Sequence, residues 1–306
     1  MEAIKQSRKI EVSEIFMSLE GEGPWTNRPT VYVRASRCNF KCPLFNNHND
    51  TQLQDNGYAT LTFNPKDFNT LQSLPLVDRG CDSQYSVNPD FAHMWARMSA
   101  DEIAKELINK IPHNAWLHPI TGTPVILSLT GGEPTLLNKF WPELLNHTLL
   151  TDLRHILIET NCAVPLKNEF LMEINKWLAG NPSRKITWSN SPKLSSSGEL
   201  WVDAIKPEIA MKQRWNTGGT TPGQFEQYFK FVVEPTTESF GEVMKAMNEY
   251  WNVGIPRNVE IWAMPMACSE EQQQAIAQKV ANMCMDYGFL YSHRVQNSLW
   301  GNGTGT

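Results

Sequence analysis

The chain has 306 residues, 41 % of them apolar, and a formal net charge of −5 at pH 7. That length suits one large domain or two small ones, the mild acidity offers no basic face for broad nucleic-acid binding, and no apolar run approaches the roughly 18 residues that span a membrane. The opening MEAIKQSRKIEVSEIF has no apolar core followed by small residues, so no secretion signal is expected, and six cysteines in a chain this long point to a reducing, cytoplasmic setting in which they are free thiols or metal ligands.

TVYVRAS (30–36) is the first predicted strand, rich in Val, Thr and Tyr and preceded by Pro29. Residues 43–80 that follow are polar and Asn-rich, a loop too long to be featureless in a compact domain; YATLTF (58–63) within it reads as a hairpin arm. SADEIAKELINKI (99–111) opens on Ser99 with Glu102 three residues on, a capping box at the start of a helix. TPVILSLT (123–130) and RHILIET (154–160) are strands, FLMEINKWLAG (170–180) is a helix with Gly180 at its C′ position, and RKITWSN (184–190) is the next strand. A second Gly/Thr-rich excursion covers 208–224. YFKFVVE (228–234) and NVEIWAMP (258–265) are strands, and SEEQQQAIAQKVANMCMDYG (269–288) is a helix from Ser269 to Gly288. Strands alternating with helices argue for βαβ units and a parallel sheet. Six strands are too few for a closed eight-stranded barrel and suit an open α/β barrel of (β/α)6 type, formed by one domain over 1–306 with insertions at about 43–80 and 208–224.

RASRCNFKCPLF (34–45) carries Cys38 and Cys42 in the manner of an iron–sulfur ligand run, but Phe45 stands where a third cysteine is expected. Lifting out residues 43–80 restores the run, because RGCDSQYS (79–86) then supplies Cys81 and the set becomes Cys38, Cys42 and Cys81. Loop-closure entropy grows only logarithmically with length, so such an insertion is tolerable. Isolated cysteines are usually inert and buried. Cys268 and Cys284 are read so, and Cys162, nearer the proposed site, is the rival to Cys81.

Three cysteines on a four-iron cluster leave one iron open to a small molecule. With LTGGEP (129–134), ETN (159–161), SPK (191–193) and MP (264–265) at the carboxyl ends of successive strands, where barrel enzymes build their sites, the arrangement resembles the radical S-adenosylmethionine (SAM) superfamily. The two glycines of LTGGEP are expected to let the backbone approach a ligand closely. EIFMSLEGEGPWTNRPTVYVRASRCNFKC (14–42) narrows the resemblance to the 7-carboxy-7-deazaguanine synthases, through Glu20-Gly21-Glu22-Gly23, Asn27-Arg28-Pro29, Arg34 four residues before Cys38, and Asp82-Ser83 after Cys81. Glu20 stands where that family has Gln.

The resemblance implies a radical conversion of 6-carboxy-5,6,7,8-tetrahydropterin to 7-carboxy-7-deazaguanine with loss of ammonia, on the route to 7-deazapurines of the queuosine type. It implies a 4Fe-4S cluster on Cys38, Cys42 and Cys81, with SAM held by Gly131, Gly132, Glu133, Glu159, Asn161, Ser191 and Lys193. It implies Mg2+ at Ser83, the substrate carboxylate on Arg34, and the pterin ring held by Glu20, Glu22 and Thr130. The C-terminal HRVQNSLWGNGTGT (293–306) offers His293 and Gln296 as further substrate contacts. The resemblance also implies a reductant such as flavodoxin or ferredoxin and a homodimer, with no direct nucleic-acid or membrane partner. Two other readings stay open on the residues. One is an activating enzyme that uses the same chemistry on a protein partner, and the other is a cluster-less binding module that has kept the fold.

Overall fold

The computed structural model describes residues 7–47, 53–215, 221–301, 303 and 305. Its strands are β1 (Lys9–Leu19), β2 (Pro29–Ala35), β3 (Ala96–Ser99), β4 (Ile126–Gly131), β5 (His155–Thr160), β6 (Lys185–Asn190), β7 (Phe225–Val233), β8 (Ile261–Pro265) and β9 (Leu290–Tyr291). They form one open sheet in the order β3-β1-β2-β4-β5-β6-β7-β8-β9. β1 lies antiparallel to both of its neighbours. From β2 onward every pair is parallel. All six predicted strands are present as β2 and β4 to β8. The helices are α1 (Gln84–Val87), α2 (Ala100–Lys110), α3 (Trp141–Leu145), α4 (Asn168–Ala179), α5 (Trp201–Ala204), α6 (Pro207–Gln213), α7 (Thr237–Asn252), α8 (Glu270–Tyr287) and α9 (Val295–Trp300).

Parallel strands that follow chain order, joined by crossovers of one hand, put their helices on one face of the sheet. The side chains obey this. Val31, Val33, Leu127, Leu129, Ile156, Ile158, Ile186, Trp188, Phe229 and Phe231 alternate along the strands into a core with Ile103, Leu107, Phe170, Ile174, Phe240, Met247 and Tyr250 of the helices. The intervening residues face the other way and are mostly polar. The registers set Arg34 beside Thr130, Glu159 beside Ser189 and Ser189 beside Tyr228. One face is therefore a dry core and the other a polar concavity.

β1 joins this scheme through a bulge. Val12 pairs with Ala35 and Glu14 with Arg34, which leaves Ser13 as an extra residue whose hydroxyl donates to the Arg34 carbonyl at 3.0 Å. The apolar phase thus passes from Ile10 and Val12 to Ile15 and Met17. Glu14 and Phe16 reach the polar face, where Phe16 stacks on Tyr32 with ring centroids 4.7 Å apart. This change of phase hides β1 from a period-two reading, and β3 and β9 are too short to register.

Other expectations need correction. YATLTF makes no hairpin arm, since only an isolated bridge from Leu53 to Ala59 forms there. The first half of the 208–224 excursion is helix α6, started by Pro207, while 216–220, like 48–52 of the first insertion, lie outside the described residues. Gly180 ends α4 in a right-handed conformation, whereas Gly288 caps α8 with φ 72° as expected. The Ser99 capping box is present.

The end of β4 is pinned to the end of β2 by backbone alone. Gly132 N donates to the Ala35 carbonyl at 2.9 Å and Glu133 N to the Arg37 carbonyl at 3.0 Å. A Cβ on Gly131, whose φ is 117°, would overlap the Ala35 carbonyl, and one on Gly132 would overlap that of Arg37. The glycines therefore serve this strand-to-strand approach, not only an approach to a ligand. Gly288 also has a positive φ but open space around it. Gly131→Ala is expected to cost about 2–4 kcal/mol in urea denaturation and Gly288→Ala about 1 kcal/mol, the difference measuring the close approach.

Candidate active site

A cavity of about 300 Å³ opens on the polar face at the carboxyl ends of the parallel strands. Of the residues singled out in the sequence, Glu20, Glu22, Arg34, Cys38, Cys42, Cys81, Ser83, Thr130, Gly131, Gly132, Glu159, Asn161, Ser191, Lys193 and Gln296 all line it. Glu133 does not. Its carboxylate is turned into the protein, where it accepts from Thr160 Oγ1 at 2.8 Å, Asn161 N at 2.7 Å and Thr135 N at 3.0 Å. In this position it fastens the β4 turn to the end of β5.

Cys81 comes back to the wall that holds Cys38 and Cys42 because the ends of the insertion are tied together. Gly80 N donates to the Phe45 carbonyl at 2.7 Å, and Gly80 takes a φ of 72° with Ala59 packed against it. The insertion is anchored further on: Tyr58 Oη donates to the Val87 carbonyl at 3.0 Å, and Phe63 meets Phe68 and Phe91 edge-on. Its Leu74, Pro75, Leu76 and Val77 form part of the cavity wall. Cys162, the rival, is buried in the helical core, where its thiol accepts from Gln213 at 3.7 Å. Cys284 is also in that core, and Cys268 is buried as expected but lies on the cavity wall, with its thiol accepting from Asn46 at 3.0 Å.

All six cysteines are free thiols. Enclosure raises Cys42 and pushes Cys38 and Cys81 up to about 12, with Cys38 and Cys81 adding to the rise at Cys42. A metal must therefore displace protons here. Among the described residues no group of three His, Cys, Asp or Glu side chains is already drawn into ligating geometry.

Glu199, not foreseen from the sequence, holds the cluster loop. One of its oxygens accepts from the backbone N–H of both Lys41 and Cys42 at 2.8 Å, and Leu44 N donates to the Ser197 carbonyl at 3.2 Å. Cys42 sits at φ 45°, a conformation unusual for a residue with a Cβ, so these bonds select it.

Deeper in the cavity, charges are paired. The Arg34 guanidinium lies between the rings of Phe16 and Tyr85 at 5.5 and 5.6 Å, and it donates to Glu14 at 3.0 Å and to the Ser83 hydroxyl at 3.2 Å. Glu22 forms an ion pair with Lys230 and lies 3.4 Å from Arg294, which also meets Asp82 at 2.8 Å. Burial works to raise Glu22, but Lys230 and Arg294 hold it below the usual carboxylate range. Gln296 donates to Glu22 at 3.3 Å. His293 instead contacts Ser298 and Gln273. Lys230 was not singled out in the sequence, although its place as the lone cation between Phe229 and Phe231 in a strand was a signal that could have found it. Arg294 and Glu14 were not legible, since one depends on how the C-terminal segment returns and the other on the bulge.

The chain was compared with known proteins. No protein-family model matches it. It is 26 % identical over 298 residues to a 7-carboxy-7-deazaguanine synthase of Pyrobaculum aerophilum, covering 97 % of both chains. It is 24 % identical over 300 residues to the enzyme of that name from Halobacterium salinarum, covering 97 % of this chain and 93 % of the other. A crystal structure of QueE from Escherichia coli superimposes with a TM-score of 0.43 at 15 % identity over 93 % of each chain.

Removing the Glu199 carboxylate leaves two loop amides without an acceptor, a loss of about 1–2 kcal/mol in local order. In Glu199→Ala the amides of Lys41 and Cys42 are expected to exchange hydrogen on the order of tenfold faster than in wild type, while those of β4 to β6 are unchanged; Glu199→Gln, which keeps an acceptor, restores most of the protection.

Proposed function

We propose that this chain, kin to the 7-carboxy-7-deazaguanine synthases along nearly its whole length, is a radical SAM lyase that converts 6-carboxy-5,6,7,8-tetrahydropterin to 7-carboxy-7-deazaguanine with loss of ammonia. The observation that carries the reading is the shared cavity wall of Cys38, Cys42 and Cys81, with Arg34 and Ser83 in the same cavity. Three soft, unbridged thiols suit a 4Fe-4S cluster with one open iron. When bound, cluster and SAM supply a 5′-deoxyadenosyl radical for hydrogen abstraction from the substrate.

The chain's own residues would then divide the work. Gly131, Gly132, Glu159, Asn161, Ser191 and Lys193 face the space for SAM, and Glu133 positions Asn161 through its backbone N–H. Arg34, held between two rings, presents a planar fork to the substrate carboxylate. The Ser83 hydroxyl is a hard oxygen suited to Mg2+. Glu20, Glu22, Thr130 and Gln296 offer hydrogen-bonding groups to the ring. A concave cavity of about 300 Å³ with converging polar groups suits a small molecule better than a protein segment. Among the described residues no helix is long and apolar enough to cross a membrane. We place the reaction in the cytoplasm, with a flavodoxin- or ferredoxin-like reductant and a homodimer as the proposed assembly.

The test is anaerobic reconstitution of wild type, Cys81→Ala and Cys162→Ala, with iron and sulfide counted per chain, followed by turnover of the carboxypterin with SAM, Mg2+ and reductant. About four irons are expected in wild type and Cys162→Ala, with a loss of cluster in Cys81→Ala and 7-carboxy-7-deazaguanine as product. A wild type that binds no iron leaves a binding module. A cluster that cleaves SAM without forming the deazapurine points to another substrate.

A further inference from the structure

We infer that Glu20 works as a neutral carboxylic acid, with its proton on Oε2 given to the Tyr32 hydroxyl, and that this neutral state positions the cavity wall for an anionic substrate. The second clause rests on the function proposed above; the first stands on hydrogen-bond geometry. Glu20 opens the turn after β1 and is 4 % exposed. Its backbone is clamped on both sides, Glu20 N donating to the Arg28 carbonyl at 2.7 Å and Asn27 N to the Glu20 carbonyl at 2.8 Å. The Tyr32 hydroxyl oxygen lies 3.2 Å from the Leu19 carbonyl oxygen and 3.1 Å from Glu20 Oε2.

A tyrosine hydroxyl has one hydrogen, and a carbonyl oxygen only accepts. With Glu20 ionised, that single hydrogen is divided between two acceptors at 3.1 and 3.2 Å, a weaker three-centre contact. With a proton on Oε2, Tyr32 donates to Leu19, Glu20 donates to Tyr32, and each contact has a hydrogen of its own. The other oxygen, Oε1, accepts from Glu22 N at 3.2 Å.

Among the charged and titratable groups facing Glu20, the carboxylates favour the neutral form, while Lys230 and the Tyr32 hydroxyl favour the ionised one and are outweighed. These groups are Tyr32 on β2, Glu22 in the turn, Glu159 on β5, and Tyr228 and Lys230 on β7. Lys230, the cation among them, is engaged by Glu22, which Arg294 also approaches. Burial, then Glu159 and Glu22, raise Glu20 well above the ordinary carboxylate range. With Glu20 neutral, the cavity wall sets Arg34, Lys193, Lys230 and Arg294 against Glu22, Asp82 and Glu159, an excess of one positive charge. An ionised Glu20 would cancel that excess and weaken the attraction for a carboxylate-bearing ligand.

A folded-state pKa above the unfolded one gives stability that is present at low pH and is lost as pH rises through the folded value. Glu20→Gln keeps the size of the side chain, a donor for Tyr32 and an acceptor for Glu22, and removes the titration. In cofactor-free protein at neutral pH, the wild type minus Glu20→Gln infrared difference is expected to contain a carboxylic-acid C=O band that shifts in D2O. Tyr32→Phe, which removes the receiver of the proton, is expected to move that band to higher frequency. Carboxylate bands alone, or a band indifferent to Tyr32→Phe, overturn the inference. In turnover, wild-type kcat/KM is expected to fall about tenfold per pH unit above the Glu20 pKa, and Glu20→Gln to lack that fall. An alkaline limb of equal size in both proteins overturns the positioning role. The infrared band in a protein that turns over no carboxypterin supports the neutral acid and refutes the substrate reading separately.

Discussion

Two backbone hydrogen bonds, from Gly132 to Ala35 and from Glu133 to Arg37, hold the mouth of the sheet together. They join the end of β4 to the start of the loop that bears Cys38 and Cys42, and the circuit continues from there. The Glu133 carboxylate reaches the end of β5 through Thr160 and Asn161. Asn161 returns to the cluster loop by donating to Asn39 at 2.7 Å. Arg37 N is bound to the Ser86 carbonyl at 2.8 Å, on the far side of Cys81. Three strand ends and both stretches that carry thiols thus hang on one closed set of polar contacts. Buried groups in such a set lose their partners together, so the glycines matter less for their own flexibility than for letting the circuit close.

The same economy governs the charges. A buried ion is tolerable only when paired, and three ion pairs at the cavity floor join different elements: Arg34 on β2 with Glu14 on β1, Lys230 on β7 with Glu22 in the first turn, and Arg294 near the C-terminus with Asp82 after the third cysteine. These pairs cross long sequence separations. The first turn, the sheet, the cluster loop and the C-terminal segment must all be in place before any of them is satisfied, which couples formation of the cavity to completion of the fold.

Much of this was legible in the residues, and what was not has physical causes. The six parallel strands announced themselves by β-branched and aromatic runs, and the polar residues at their ends fell on the cavity because strands of one direction share one rim. Cys81 could be found because a ligand run tolerates insertion. β1 was hidden because its bulge changes the phase of the alternation between Val12 and Glu14, a change that only pairing with β2 makes sensible. Glu133 was expected to face a ligand, but its direction depends on Thr160 and Asn161, which lie on another strand. Arg294 sits one residue from His293, and the choice between them is made by the angle at which the chain enters α9. Cys268 is buried, as it looks in sequence, and the chain just beyond β8 also brings it to the cavity wall.

The insertion between Cys42 and Cys81 raises the question of how so long an excursion can separate thiols that share one cavity wall. Entropy is not the obstacle, because each doubling of loop length adds only about 0.6 kcal/mol to closure. Placement is the harder requirement, since a thiol must return to its partners with little latitude. The chain meets it by giving the excursion contacts of its own, with Phe63 between Phe68 and Phe91, Tyr58 bound to Val87, and Gly80 bound to Phe45. Cys81 then follows directly from a fixed point, the Gly80 amide, and not from the end of a loose tether. A segment that first had to be tolerated has also become wall, since Leu74 to Val77 close one side of the cavity. Returning Cys81 to the wall of Cys38 and Cys42 and closing one side of the cavity are consequently tasks of one piece of chain, and a change in the insertion acts on both.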